Sequence, residues 1–258
     1  MTSATTPPGW RVTWLDTCAS TNDVAAARAR AGEPEGWVVV ADTQTAGRGR
    51  LGRTWHSPPG TNLYVSLLLR PLLPAVQVAP LTLVVGAATA AALAREGAVP
   101  RLKWPNDVLL GTPAGPRKVA GILTEAASEA NRMRHVIVGI GLNVNSHRSD
   151  FPTALAARVT SLRQTLGRSV DREGLLARLL GELGEGYARF LREGPAAAIA
   201  SWRRYADLGG RYRVQGVGAA DIEGVAEDVE ADGALRVRGD DGRVHRVVTG
   251  EVVDSPAP

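Results

Sequence analysis

The chain has 258 residues, 44% hydrophobic and 22% charged, with a formal net charge of +4; this suits one large domain, or one domain plus a small appendage, of ordinary globular composition. The charge is mild and spread along the chain, which argues against a nucleic-acid binder, and the single cysteine, Cys18, excludes an internal disulfide and fits a reducing compartment. Residues 1–8 lack the pattern of a secretory signal, and no run approaches ~18 uninterrupted apolar residues, the best being the alanine-rich stretch 81–93; a soluble, cytoplasmic protein without a membrane partner is expected.

Residues 1–9 are a polar, proline-bearing tail, expected to fray. Residues 10–15 read as a short strand. Ser20-Thr21-Asn22-Asp23 then opens an alanine-rich helix ending near Gly32, with Ser20 and Asp23 at the spacing of a capping pair. Residues 37–41 form a strand, 42–61 a long polar loop and 63–70 a second buried strand. A helix over 78–96 carries an apolar stripe at Leu81, Val84, Val85 and Ala88. Strand pieces at 101–104 and 107–110 flank Pro105, and a turn at 111–116 leads to strands at 118–126 and 135–145. Asp171 caps a helix whose stripe runs Leu175, Leu176, Leu179, Leu180, Leu183, Tyr187 and Leu191, and Pro195 starts another ending near Gly209. From 211 to 253 the pattern changes to short alternating segments separated by Gly216-Val217-Gly218, Asp232-Gly233 and Asp241-Gly242. Aspartate-glycine between alternating strands is a hairpin signal, and a small β-barrel or meander is expected.

Two of the 30 lysine and arginine residues are lysines, Lys103 and Lys118. Lysine is a compact point charge that fits a tight pocket, where arginine is a planar fork, so an arginine-rich chain that keeps two lysines close together points to chemistry there. Lys103 lies in Lys103-Trp104-Pro105-Asn106-Asp107, which sets a cation, an aromatic and two polar side chains around a proline turn. Lys118 begins Lys118-Val119-Ala120-Gly121-Ile122-Leu123.

Two further segments carry chemistry. Gly47-Arg48-Gly49-Arg50-Leu51-Gly52-Arg53-Thr54-Trp55 alternates glycine with arginine; such a loop can turn its amides into an anion-binding concavity, with arginines adding bidentate contacts to phosphate or carboxylate. In 136–145, Val136, Val138, Ile140, Leu142 and Val144 share one face, and Gly139, Gly141, Asn143 and Asn145 the other. Successive glycines leave bare sheet on which a flat ligand can lie, with the asparagines expected at its end. The four histidines have no metal-ligand spacing and no nucleophile motif occurs, so electrostatic positioning of anionic substrates is expected.

In order and spacing these motifs, with Ser20-Thr21-Asn22, Gln44-Thr45-Ala46 and Gly60-Thr61-Asn62-Leu63-Tyr64, resemble the biotin–protein ligases from about Val12 to about Val253. The resemblance implies an α+β fold: a mixed β-sheet flanked by helices over 10–208, carrying the biotin and ATP sites, and a small C-terminal β-barrel over 209–254, after a disordered tail over 1–9. It implies that biotin and ATP give biotinyl-5′-adenylate and pyrophosphate, and that biotin then passes to one lysine of a biotin carboxyl carrier protein or domain. By this resemblance Ser20, Thr21, Gln44 and Arg48 bind biotin over a floor of Gly121, Gly139 and Gly141. Lys118 sits at the carboxylate and α-phosphate, and Arg50 and Arg53 hold the carboxylate and phosphates. Trp55, Lys103, Asn106, Asp107 and Asn143 shape the ATP side, with Mg²⁺ on the phosphates. Some relatives carry an N-terminal DNA-binding domain; 19 residues precede Ser20-Thr21-Asn22 here, so a ligase without DNA binding is expected. An exposed sheet edge would allow a homodimer, and no residue pattern decides it. A lipoate or octanoate ligase shares the implied fold but would want an apolar slot for its alkyl chain. A nucleic-acid binder using the arginine loop would show salt-dependent binding without ATP turnover.

Overall fold

The computed structural model describes residues 9–129, 132–215 and 221–254. The expected tail, apart from Gly9, and the expected turn at Gly216-Val217-Gly218 lie outside the described residues. In chain order the first part runs β1 (Arg11–Cys18), α1 (Thr21–Arg30), β2 (Trp37–Gln44), β3 (Leu63–Leu69), α2 (Leu81–Arg95), β4 (Pro100–Lys103), β5 (Asp107–Thr112), β6 (Gly115–Glu129) and β7 (Arg132–Leu142). These strands form one mixed seven-stranded sheet in the order β1-β2-β3-β7-β6-β5-β4, with β1 parallel to β2 and the other neighbours antiparallel.

The two faces of the sheet are covered differently. On one, Val38, Val65, Val138, Ile140 and Leu142 pack with α2 and with α5 (Arg172–Glu193), which follows the short helices α3 (Thr153–Ala156) and α4 (Leu162–Leu166). On the other, α1 sets Ala25 and Ala29 on Val39, Leu68 and Ile137. α1 has only 10 residues, about 15 Å of helix, so it covers only part of that face. The rest, beyond the α1 N-terminus, carries no helix among the described residues. The stretch Ala75–Arg95 is long and apolar enough to cross a membrane by composition, and it is 72% buried inside this core.

Asp171 caps α5 as expected, accepting from the amides of Glu173 and Gly174. The stripe closes on Phe190, which is buried, and Leu191 is 42% exposed; after Tyr187 the inward position falls three residues on. The short helices α3 and α4 have no counterpart in the sequence reading, because four- and five-residue helices hold too little periodicity to detect.

After α6 (Pro195–Arg203) come β8 (Arg211–Gln215), β9 (Ile222–Val229), β10 (Leu235–Arg238), β11 (Val244–Val247) and β12 (Glu251–Asp254). They form an antiparallel five-stranded sheet in the order β11-β10-β9-β8-β12. Gly233 and Gly242, the glycines of the two aspartate-glycine turns, have φ of 88° and 77°, which favour glycine. Among the described residues no ladder joins β11 to β12, so closure of the expected barrel is not detected. This second sheet is tied to the main sheet where Trp104 Nε1 donates to the Gly233 carbonyl at 2.9 Å.

Candidate active site

Cross-strand pairing builds the floor of the open face. Tyr64 of β3 lies opposite Gly141 of β7, Gly141 opposite Gly121 of β6, and Gly121 opposite Asp107 of β5. Directly paired residues share a face, so two glycines lie bare between a tyrosine and a carboxylate. Lys103 ends the row, opposite Asp107 on edge strand β4. In the next row Ser66 faces Gly139. The cleft over this floor is lined by Ser20, Thr21, Gln44, Arg48, Arg50, Asn106, Lys118, Gly121, Gly139 and Gly141, among others.

Lys118 reaches this face through a bulge. Residues 118 and 121 are three apart and would point to opposite faces of a regular strand. The pairing runs Val108 with Ala120 and Leu109 with Lys118, so β6 carries one extra residue, Val119, and the parity changes. Lys118 Nζ thereby comes within 3.1 Å of where a Cβ on Gly121 would stand. It pairs with Asp107 at 2.6 Å.

Trp55 occupies the glycine floor. A Cβ on Gly141 would lie 2.3 Å from the indole, and one on Gly121 would lie 2.8 Å from it. Lys118 Nζ stands 5.3 Å from the ring centroid. The indole Nε1 is buried without a hydrogen-bond partner, a state that costs about 1–3 kcal/mol. A flat aromatic group thus rests where the sequence places a flat ligand, with a donor left to satisfy.

The wall at the α1 N-terminus is a hydrogen-bond network. Gln44 Oε1 accepts from the Thr21 amide at 2.8 Å and the Thr21 hydroxyl at 3.0 Å, and Gln44 Nε2 donates to Ser57 Oγ at 3.1 Å. Ser66 Oγ lies 2.8 Å from Thr21 Oγ1 and 2.6 Å from Asn22 Oδ1. Asn22 Nδ2 donates to Glu125 at 2.5 Å, and its amide crosses Gly139, where a Cβ would come within 2.2 Å. The expected Ser20–Asp23 capping pair does not form: the Ser20 side chain makes no capping bond, and Asp23 instead receives both terminal nitrogens of Arg48 at 2.7 Å. Those donors hold the Asp23 carboxyl below its usual range.

The arginine loop folds back on itself. Trp55 N donates to the Gly47 carbonyl at 2.8 Å and Gly49 N to the Arg53 carbonyl at 2.6 Å, enclosing the Arg48–Thr54 bridge. In that pattern the main-chain groups of Arg48 point out of the hairpin. At the tip Leu51 has φ of 56°, a conformation costly to an L-residue. Arg50 donates to Asn106 Oδ1 at 3.2 Å and to the Gly250 carbonyl at 3.3 Å. Burial lowers its guanidinium pKa, and the charges of Asp107 and Glu251 act the other way. Arg53 pairs with Glu251 through both nitrogens.

The sequence motifs therefore divide. Ser20, Thr21, Gln44, Arg48, Arg50, Trp55, Asn106, Lys118, Gly121, Gly139 and Gly141 line the cleft. Asp107 joins it through Lys118, Arg53 turns to Glu251, and Lys103 stays at the sheet edge. Asn143 and Asn145 do not extend the bare face. β7 ends at Leu142, so the alternation stops; Asn143 Nδ2 donates to the Thr160 carbonyl at 3.1 Å, and Asn145 Nδ2 to that of Val170 at 2.9 Å. Tyr64 lines the cleft, and Ser66, Asp23 and Glu125 bond to residues that line it; the sequence reading assigns none of the four a role there. Tyr64 and Ser66 sit at the two-residue spacing that brings side chains to one face, a signal within the sequence.

Residues 14–143 match the Biotin/lipoate A/B protein ligase family, and residues 212–253 match the Biotin protein ligase C terminal domain. The chain is 36% identical over 236 residues to the Bifunctional ligase/repressor BirA of Bacillus spizizenii, covering 91% of this chain and 71% of that protein. It is likewise 36% identical over 236 residues to the Biotin--[acetyl-CoA-carboxylase] ligase of Mycobacterium tuberculosis, covering 88% and 83%. The structure of the biotin protein ligase from Aquifex aeolicus in complex with biotin and ATP is similar with a TM-score of 0.79 and 30% identity over 94% of this chain and 97% of that one. With the glycine floor, the lysine beside it and the arginine loop over it, these likenesses place the chain in the biotin/lipoate A/B protein ligase family.

Proposed function

We propose that this protein is an ATP-dependent biotin–[acetyl-CoA-carboxylase] ligase. The observation that carries the reading is the bare row Gly141–Gly121, flanked by Lys118 and covered by an indole with an unpartnered N–H. In the first step a biotin carboxylate oxygen attacks the α-phosphorus of ATP and pyrophosphate leaves. In the second, a lysine amine of a biotin carboxyl carrier protein attacks the acyl carbon, an amide forms and AMP leaves.

Both steps concentrate negative charge at one point, and a compact cation there is worth most in a water-poor site. Lys118, fixed by Asp107 at 2.6 Å, is assigned that role. Thr21, Gln44 and Ser20 hold the polar head of biotin over Gly139 and Gly141. Arg50 and Arg53 hold the carboxylate and phosphates, and Trp55, Asn106 and Asp107 shape the nucleotide side. Lys103 and Asn143 support that side from the sheet edge and from the segment beside Lys118, whose amide donates to the Arg158 carbonyl. Among the described residues no group of three His, Cys, Asp or Glu side chains could hold a metal. Mg²⁺ is assigned to the ATP phosphates, where it usually keeps several waters. β5 pairs with β6 as far as Gly121, and Asn106 bonds the amide and carbonyl of Ile122, which leaves the outer edge of 123–129 as the place for a second copy to pair. The domain limits 10–208 and 209–254 accompany this proposal.

The test is exchange of labelled pyrophosphate into ATP, with biotin, lipoate and octanoate in parallel. Exchange with biotin alone is expected. Exchange with lipoate or octanoate instead would keep the fold and change the substrate, and none with any acid would sink the reading.

A further inference from the structure

Arg48 was expected to bind biotin, and its side-chain fork is already occupied. Both terminal nitrogens donate to Asp23 at 2.7 Å, and Nη2 lies 3.7 Å from Glu125. Asp23 sits in the first turn of α1 and Glu125 in β6. Glu125 also accepts from Asn22, which lies across Gly139. One guanidinium thus joins the arginine loop to both the helix wall and the floor. A planar fork suits such a bidentate grip, and a lysine could not reproduce it.

Beyond Arg48, the loop is held by Arg50, which donates to Asn106 and the Gly250 carbonyl, and by Arg53, which pairs with Glu251. It carries three arginines, its tip places Leu51 at φ of 56° and that residue is 62% exposed. Nothing apolar at the tip packs it down. Trp55, at the far end of the same hairpin, is the group that lies on the glycine floor.

We propose that Asp23 and Glu125 are positioning residues that act through Arg48, holding the loop closed over the cleft so that bound biotin and its adenylate are retained. The proposal rests on the reading of the cleft as a biotin–adenylate site. The Arg48 side chain anchors the loop, leaving its outward main chain to face the substrate. Neither carboxylate touches the reacting atoms.

The test uses the full chain with Asp23→Asn, Asp23→Glu, Arg48→Lys and the Asp23→Asn/Arg48→Lys double variant. In pyrophosphate exchange, Asp23→Asn is expected to raise the biotin KM about three- to ten-fold, the range of a half-exposed but bidentate ion pair, with kcat within about two-fold. Asp23→Glu restores most of the KM, and the double variant is no worse than the poorer single one, as groups acting as a unit behave. Without ligand, trypsin cleaves Asp23→Asn after Arg50 and Arg53 several-fold faster than the parent. An unchanged KM, additive losses, or a parallel fall of kcat and thermal stability would overturn the proposal. If the parent chain exchanges no pyrophosphate with biotin, the functional reading fails, and the ligand-free trypsin arm still decides whether Asp23 holds the loop.

Discussion

Lys118 condenses what the sequence could and could not say at the scale of one residue. Its rarity marked it, with two lysines among 30 lysine and arginine residues. Its placement depends on a bulge that no periodicity announces, since alternation from Lys118 to Gly121 puts them on opposite faces and the extra Val119 puts them on the same one. Given that location, Lys118→Arg is expected to leave biotin affinity within a few-fold and to lower turnover in pyrophosphate exchange by about 10²- to 10³-fold, the loss seen when one preorganised donor to a developing anion is removed. The larger fork cannot occupy the point between Asp107 and Trp55, and unchanged turnover would show that only charge matters there. Ser20 is the opposite case. Its spacing from Asp23 reads as a cap, yet Gln44, distant in sequence, takes the first helix amide and Arg48 takes Asp23. Tertiary partners overrode a local rule.

At the scale of elements, strand β7 was legible as far as it remained a strand. Alternation correctly put Val136, Val138, Ile140 and Leu142 in the core and Gly139 and Gly141 on the bare face. It failed at Asn143 because β7 stops at Leu142, and a stop set by the segment 158–162 leaves no local mark. The two glycines on that face have different work, which gives a paired prediction. Gly141→Ala drives a methyl into the Trp55 indole, which can swing away; biotin KM should rise at least about ten-fold, in line with the 1–3 kcal/mol typical of overpacking, with the melting temperature nearly unchanged. Gly139→Ala meets Asn22 Oδ1 and breaks the network of Asn22, Ser66 and Glu125. Unpairing those groups should cost about 1–3 kcal/mol of stability, read as a lowered midpoint in urea. Equal stability losses in both variants would refute the division of labour.

At the scale of the whole molecule, the two sheets meet at the loop that carries the chemistry. Arg50 donates to the Gly250 carbonyl, Arg53 pairs with Glu251, and Trp104 reaches Gly233. The aspartate-glycine turns made the second sheet legible, but nothing in the sequence showed that it would grip the arginine loop, because contacts about 200 residues apart leave no local pattern. The composition of the chain bears on its behaviour as a catalyst of acyl transfer. An activated acyl adenylate that escapes the cleft acylates exposed amines. This surface is arginine-rich, and guanidinium stays protonated and does not compete. Lys118 is held by Asp107 at 2.6 Å inside the cleft, and Lys103 stands at the end of the Gly121–Asp107 row in a half-buried position. Self-labelling should therefore be slow and confined. After prolonged incubation with biotin and ATP without carrier, intact mass should show at most about one biotin per chain, and none on Lys118. A lysine-rich bystander protein in the same tube should carry more. Multiple adducts on this chain, with Lys118 among the labelled amines, would mean that Asp107 does not keep the lysine amine out of nucleophilic play, and the assignment of Lys118 as a fixed cation would fall with it.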